Sequence, residues 1–454
     1  MRSHALFYLE HRLLFAAVAM RDNPAMSLDR RRSRGCAVAL ASLLACGDAG
    51  GGVTEAATTS GPGTTDDSPG STAAPPPTGT STEPGATATT TTADPPPTTG
   101  TITTADPPPG TTTKPDPTGD PSGCVPVSPT ASAVCVENTQ LLVGRREGGT
   151  LMSATPYRIK GVGWSPTGIG ETNTQGYANY YIQYGSDAAH IEALNANTVK
   201  TYDPFAQTAE GLALLDDLHS RGIMVAMTVI AWHGDAGPKN YLAAVNYFKD
   251  HPAILMWLVG NEFNYNNLYG AADLDAATAI VNQAIADIHA ADPDHPVAVG
   301  HGEVPSPERY AAIPDADIWA LNLYPALDLD SRFEAWPALS DKPMFVSEYG
   351  ADAFDNNDGE EDEAAQAEAT EILTLQIADH YSADDPAEPG LGGTIFVLTD
   401  EWWKADGSAD AQDDGGFPGA IHDDGFANEE WWGLLDIERN PRAAFTALQT
   451  IYAP

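Results

Sequence analysis

The stretch "AILMWLVGNE", residues 253–262, decides the fold that we predict for this chain. Its apolar part is typical of a strand that is buried on both faces of a parallel sheet. The run ends in Asn261 and Glu262, an amide and a carboxylate that are both unfavourable to desolvate. Similar apolar runs occur along the chain at 157–163, 197–202, 223–232, 296–300, 317–324, 343–350 and 393–400.

Segments with apolar residues at helical spacing separate these runs, most clearly at 208–221, 273–291, 360–381 and 441–452. Strands that alternate with helices indicate a parallel sheet. Eight such units in about 300 residues match the size of a (β/α)8 TIM barrel. An open doubly wound sheet is the alternative, and we favour the barrel.

Polar and aromatic residues follow the predicted strands at their carboxyl ends, which is where TIM barrels build their sites. This bias towards one end is not expected from packing alone. The residues that we place at this end of the barrel are Trp164, Lys200, Trp232, Asn261, Glu262, His301, Asn322, Tyr324, Glu348 and Trp402.

Two of these residues are carboxylates on the fourth and seventh predicted strands, Glu262 and Glu348. A glycosidic bond is cleaved with retention by two carboxyl groups roughly 5–5.5 Å apart, of which one attacks and the other transfers protons. Either glutamate alone is a weak signal, since a strand-end Glu can also cap a helix. Their joint position predicts a catalytic pair.

The motifs around this pair resemble a known group of enzymes. "WLVGNEFN" (257–264) and "MFVSEYGADAF" (344–354) are similar to the acid/base and nucleophile motifs of clan A glycoside hydrolases. The barrel most resembles the catalytic domain of family two, and "GNE" with "SEYG" also resembles the β-1,3-glucanosyltransferases. The likeness covers residues 155–452, without the β-sandwich domains of complete family two enzymes.

The resemblance implies roles for five residues. Glu262 would be the general acid/base and Glu348 the nucleophile, while Asn261 would bind the sugar 2-hydroxyl and Tyr324 would orient the nucleophile. Clan members usually have Arg at the end of the second strand, where this chain has Lys200. Lysine keeps the charge but loses the planar two-pronged geometry.

The remaining site predictions concern substrate binding. Trp164, Trp232 and Trp402 are predicted to offer aromatic faces to sugar rings, with packing as the alternative for each, and His301 and Asn322 are expected to line the site. The predicted function is a retaining β-glycoside hydrolase acting on poly- or oligosaccharides. The alternatives are a transglycosylase that uses the same two glutamates and a non-catalytic glycan-binding barrel. We expect no cofactor and no metal site.

The first third of the chain predicts export. Residues 1–46 are interpreted as a signal sequence that ends in "LLAC", with Cys46 as a lipidated bacterial lipoprotein residue and Met26 as an alternative start. A plain cleaved secretory signal is the other interpretation. Residues 47–123, rich in Thr, Pro and Gly, are predicted to be a disordered linker, and 124–454 to be the catalytic domain. The protein would reside at the cell surface or in the periplasm, anchored to the outer membrane, or be secreted.

Cysteine content and charge agree with this picture. In an oxidising compartment Cys124 and Cys135 are expected to form a disulfide, with two free thiols as the alternative. The net charge of −41 disfavours nucleic acid and anionic lipid as partners. We therefore expect a monomer that meets the membrane only through its lipid anchor.

Overall fold

The computed structural model describes residues 123–454, apart from 238, 406 and 420–423. In this part of the chain eight strands form a closed barrel, which confirms the predicted TIM barrel over the open sheet. The barrel strands are β1 (Ile159–Trp164), β2 (Thr198–Thr201), β3 (Met224–Ile230), β4 (Ile254–Val259), β5 (Val297–Gly302), β6 (Ile318–Asn322), β7 (Met344–Tyr349) and β8 (Gly390–Ile395).

Strand β8 begins and ends earlier than the predicted 393–400, and it closes the barrel by parallel pairing with β1. Its sequence GLGGTI is rich in glycine, which is depleted in strands, so the pattern gave no strand signal at residues 390–392. Gly392 has a φ of +117°, and a side chain at this position would collide with the carbonyl of Ile159. Closure therefore requires a glycine.

Helices follow the strands and cover the outside of the barrel. The described helices are α1 (Ala178–Gln183), α2 (Ala188–Ala193), α3 (Ala209–Ser220), α4 (His233–Ala236), α5 (Tyr241–Phe248), α6 (Phe263–Asn266), α7 (Leu274–Ala291), α8 (Pro307–Ala311), α9 (Asp330–Ala335), α10 (Glu363–Asp379) and α11 (Ala443–Tyr452). The long helices begin at capping side chains: Thr208 accepts from the Gly211 amide and Asp273 from the Ala276 amide. Their apolar faces pack on the strands and form the main core.

A small antiparallel sheet covers the amino-terminal end of the barrel. Its strands are Ala133–Glu137, Gln140–Gly144 and Thr155–Pro156, and we call it the cap sheet. Apolar residues of the cap sheet, such as Leu141, pack against residues near the start of the barrel strands, such as Ile159. A disulfide joins Cys124 to Cys135, with their Cα atoms 5.9 Å apart. The opposite, carboxyl-terminal end of the barrel stays uncovered by this sheet.

The predicted signal sequence, the lipidation of Cys46 and most of the predicted linker fall on residues outside the described part. They remain predictions. Among the described residues, the helices all lack the combination of length and apolar character that a membrane span needs.

Candidate active site

The two candidate carboxylates lie at the carboxyl ends of β4 and β7. Glu262 follows β4 through Gly260, which has a φ of +87°, and is itself left-handed with a φ of +53°. Glu348 belongs to β7 and pairs in register with Asn322 of β6. Glu262 is 9 % exposed and Glu348 6 %, so both carboxyl groups are largely shielded from water. The polar residues that follow the apolar strand β4 thus lie at the edge of a buried site.

Two donors hold the carboxylate of Glu348. The Nζ atom of Lys200 lies 2.7 Å from Oε1, and the Tyr324 hydroxyl donates to Oε2 over 3.0 Å. Burial raises the pKa of Tyr324 well above its usual value, as do the charges of both glutamates, so the hydroxyl keeps its proton. Burial lowers the pKa of Lys200, and the ion pair with Glu348 opposes this effect. Both oxygens of Glu348 are therefore fixed by donors.

Two asparagines connect the strand ends. The Asn261 side-chain oxygen accepts hydrogen bonds from Lys200 over 3.0 Å and from Asn322 over 3.3 Å. The Ser347 hydroxyl donates to Asn322 Oδ1 over 2.7 Å. These contacts join β2, β4, β6 and β7, and they orient Asn261 and Asn322 in the site.

The environment of Glu262 differs from that of Glu348. Burial raises the pKa of Glu262 to about 8, and repulsion by the Glu348 charge acts in the same direction. A hydrogen bond with Asn322 and the charges of Lys200 and Lys404 oppose the rise without cancelling it. Glu262 is therefore protonated at neutral pH, beside a carboxylate that is ion-paired with Lys200. One group can donate a proton and the other can accept one or act as a nucleophile.

Trp164 does not lie in the site, so the sequence prediction for it was wrong. It is fully buried, its Nε1 atom donates to Asp187 over 3.2 Å, and its ring packs against Tyr181 at 5.0 Å. A ring with no exposed face cannot stack on a sugar. The sequence placed Trp164 correctly at the end of β1, but its side chain points into the packing between barrel and helices.

His301 lies at the end of β5 but is held by the protein itself. Its ring is 4 % exposed, packs against Phe263 and Trp319, and bonds through Nδ1 to the Glu303 carbonyl over 2.8 Å. Burial lowers the pKa of His301 to about 4, so the imidazole is neutral. These contacts make it a support for the α6 segment rather than an open sugar-binding group.

The other two predicted aromatic platforms have different environments. Trp402 is half-buried, whereas Trp232 is 43 % exposed and lies against Tyr269 with ring centroids 4.2 Å apart. Trp232 therefore offers an accessible aromatic face at the carboxyl end of β3.

The sequence prediction missed a second lysine, Lys404, in the loop after β8. Its Nζ atom is 2.9 Å from Glu401 Oε2, and Tyr177 donates to the other Glu401 oxygen over 2.9 Å. The charge of Lys404 also acts on both Glu262 and Glu348. The available signal was the run "DEWWK" (400–404), of which only the tryptophan was assigned to the site.

The neighbouring Asp400 has a structural role. Two nitrogens of Arg442 donate to its two oxygens, both over 2.7 Å, and all of these groups are buried. The pair ties the segment after β8 to the start of α11. Within the described residues, no group of three or more His, Cys, Asp or Glu side chains is arranged to hold a metal ion.

Comparison with known families gives a match in the second half of the barrel. Residues 239–383 match the model described as "Glycosyl hydrolases family 2, TIM barrel domain". The matched range contains both Glu262 and Glu348. The match confirms the resemblance to a family two-like, clan A catalytic barrel.

The chain is also similar to individual proteins. The chain is 28 % identical over 186 residues to a β-glucuronidase of Rattus norvegicus, covering 35 % of this chain and 26 % of that protein. It is 34 % identical over 121 residues to a β-glucuronidase of Pongo abelii, covering 23 % of this chain and 17 % of that protein. The chain thus spans about a quarter or less of the length of these relatives.

A solved structure shows the same fold. The crystal structure of the Ruminococcus gnavus β-glucuronidase superimposes with a TM-score of 0.50 at 16 % identity, over 71 % of this chain and 53 % of that one.

Proposed function

Since residues 239–383 match the TIM barrel domain of the family 2 glycosidases, a clan A barrel, we propose that the protein hydrolyses β-linked glycans with retention of configuration. Glu262 is the general acid/base and Glu348 the nucleophile. The observation that carries the proposal is the unequal environment of the two carboxyls. One is buried in a way that keeps its proton, and the other is held by a lysine and a tyrosine.

In the first step the Glu348 carboxylate attacks the anomeric carbon, while Glu262 gives its proton to the departing glycosidic oxygen. The bond to the leaving sugar breaks as the bond to Glu348 forms. In the second step Glu262, now charged, takes a proton from water, which attacks the same carbon and releases Glu348. The net change is addition of one water across the glycosidic bond.

The remaining side chains prepare these steps. Lys200 and Tyr324 fix the nucleophile in the orientation it needs, which is how preorganised groups accelerate a reaction. In this proposal Asn261, which is oriented by Lys200 and Asn322, binds the sugar 2-hydroxyl, a contact that strengthens in the transition state.

The test of this proposal is covalent trapping. A 2-deoxy-2-fluoroglycoside with a good leaving group should inactivate the enzyme, and peptide mapping should find the label on Glu348. Glu348→Gln should abolish both labelling and turnover. Label on any other residue, or unchanged activity in Glu348→Gln, would contradict the assignment, and absence of labelling with every sugar tried would support the non-catalytic barrel.

The substrate panel should contain β-glucuronides and neutral β-glucosides, β-galactosides, β-mannosides and β-1,3-glucan. The relatives are named β-glucuronidases, but a glucuronide brings a carboxylate. Lys200 and Lys404 already carry the carboxylate partners Glu348 and Glu401, which favours a neutral sugar. Transfer to another sugar instead of water uses the same residues and appears in this assay as longer products.

A further inference from the structure

Two aromatic residues that pack together, one exposed and one half-buried, lie beyond the carboxyl ends of β3 and β4. Trp232 is 43 % exposed, which makes it the most open tryptophan among the described residues. Its ring lies over Tyr269, with centroids 4.2 Å apart and an angle of 32° between the planes. We call these two residues the aromatic pair. A large exposed apolar face beside a polar site is more typical of a binding surface than of packing.

The Trp232 half of the aromatic pair is fixed by its own loop. One carboxylate oxygen of Asp235 accepts hydrogen bonds from the amides of Ala231 and Trp232, over 3.1 and 2.9 Å. Burial raises the pKa of Asp235, and these two amides oppose the rise. The backbone that carries the indole is thus clamped at the end of β3.

The Tyr269 half is held by an unusual backbone. Asn267, Leu268 and Tyr269 have φ values of 48°, 52° and 49°, all in the left-handed region. Such residues are uncommon outside glycine, and each adds strain that persists only where surrounding contacts determine the conformation. Three in succession therefore need strong anchors.

Those anchors are present on the same loop. Leu268 is fully buried, and Asn266 donates to the Asn261 carbonyl over 2.7 Å. Asn264 both donates to the Gly302 carbonyl over 2.9 Å and accepts from its amide over 2.7 Å. These contacts restrain the loop from Glu262 to Tyr269, and a surface that is restrained before binding loses less entropy on binding.

The position of this loop indicates which part of a substrate the aromatic pair meets. Glu262 begins the loop, and in the proposed function it gives its proton to the leaving oxygen. The leaving group therefore lies on the side of the reacting sugar that faces Glu262. The loop from Glu262 to Tyr269 starts at this side. The aromatic pair rises from this loop and from the neighbouring end of β3, the strand that pairs with β4.

We propose that Trp232 and Tyr269 form a stacking platform for a pyranose ring of the leaving group, and equally of an incoming acceptor sugar. This inference rests on the proposed function and adds to it a substrate class, β-linked oligo- or polysaccharides rather than glycosides of small alcohols. The CH face of a pyranose matches an exposed aromatic surface.

The test separates acceptor binding from chemistry. The enzyme is trapped as its 2-deoxy-2-fluoroglycosyl form, and recovery of activity is followed in buffer alone and with cellobiose, laminaribiose or lactose as acceptor. We expect at least one disaccharide to accelerate recovery in the wild type. Trp232→Ala and Tyr269→Ala should lower the ratio of acceptor-dependent to water-dependent recovery about tenfold, whereas Trp232→Phe should restore most of it.

Tyr247→Ala is the matched control, since Tyr247 is 40 % exposed but lies on α5, away from the barrel mouth. Its ratio should equal that of the wild type. A trapped enzyme whose recovery is insensitive to all three disaccharides, or equal ratios in the wild type and the Trp232 and Tyr269 variants, would overturn the platform alone. Failure of every fluorosugar to label the protein would contradict the proposed function itself.

Discussion

Glu262 shows how burial can convert an ordinary carboxyl into an acid at neutral pH. Its position after an apolar strand was readable from the sequence, because polar residues rarely end such a run without a reason. The pKa of about 8 was not readable, since it depends on the shielding of the site and on Glu348, which lies 86 positions away in the numbering. The two residues can be identified in the sequence, whereas the difference between their environments arises from the fold.

We predict that the alkaline limb of kcat/KM is set by Glu262. Because the acid must be protonated for the leaving oxygen to depart, kcat/KM should fall tenfold per pH unit above about 8. Glu262→Gln should remove this limb on an aryl glycoside whose leaving group needs no proton. An unchanged limb in the variant would contradict the role of Glu262.

The same group gives a stability readout that does not depend on substrate. Between pH 4.5 and about 8 the folded protein keeps a proton on Glu262 that the unfolded chain loses. The free energy of unfolding of the wild type should therefore decline by up to about 1.4 kcal/mol per pH unit across this window, relative to Glu262→Gln. Urea unfolding at several pH values measures this difference.

Lys200 is the second residue whose change should be informative. Lys200→Met removes the cation that holds both Glu348 and Asn261, and we expect kcat/KM to fall by roughly 100-fold or more. The rate of fluorosugar labelling should fall in parallel, because in the proposed mechanism both rates measure attack by Glu348. Lys200→Arg keeps the charge, so substantial recovery in this variant would separate the electrostatic role from a purely structural one. Equal kcat/KM in wild type and Lys200→Met would contradict the assignment.

At the scale of elements, the sequence predicted what depends on local pattern. Seven barrel strands lie within a few residues of their predicted positions, because buried parallel strands are continuous apolar runs. The prediction misplaced β8, whose glycines serve the close approach to β1. The helix predicted to begin at Pro441 begins at Ala443, with Arg442 before it held by Asp400 and Glu361.

Side-chain direction at the strand ends was less predictable. Trp164 is the last residue of β1 and Trp232 lies two residues after β3, yet Trp164 is fully buried and Trp232 is 43 % exposed. The difference comes from the loops. Tyr181 and Phe205 enclose Trp164, whereas the left-handed turn after α6 supports Trp232 from one side. Contacts of this kind join residues that have no fixed spacing in the sequence, so no local sequence pattern predicts them.

At the scale of the molecule, the two ends of the barrel have separate tasks. The carboxyl ends of the strands carry the proposed chemistry. The amino-terminal end is closed by the cap sheet. The segment before this sheet is attached to the barrel by the backbone amides of Val127 and Ser128, which donate to the Asp294 carboxylate over 2.5 and 2.7 Å. The sequence indicated the disulfide but not the cap sheet, because its strands are short and lie before the barrel pattern begins. A change in the cap sheet should thus alter stability without altering the site.

The disulfide between Cys124 and Cys135 allows this separation to be tested. It closes a short loop with a sequence separation of 11, so loss of the constraint on the unfolded chain predicts a decrease in the free energy of unfolding of roughly 2–3 kcal/mol. The double variant Cys124→Ser/Cys135→Ser should show this decrease in urea unfolding and keep the kcat/KM of the wild type. Reductant should bring the wild type to the stability of the variant and leave the variant unchanged.

Leu141→Ala, which removes a fully buried cap-sheet side chain, should destabilise by about 2–5 kcal/mol and serves as the comparison that leaves the disulfide intact. A loss of kcat/KM in the serine variant under conditions where it is fully folded would show that the cap sheet and the active site are coupled, and the division between the two barrel ends would then be wrong.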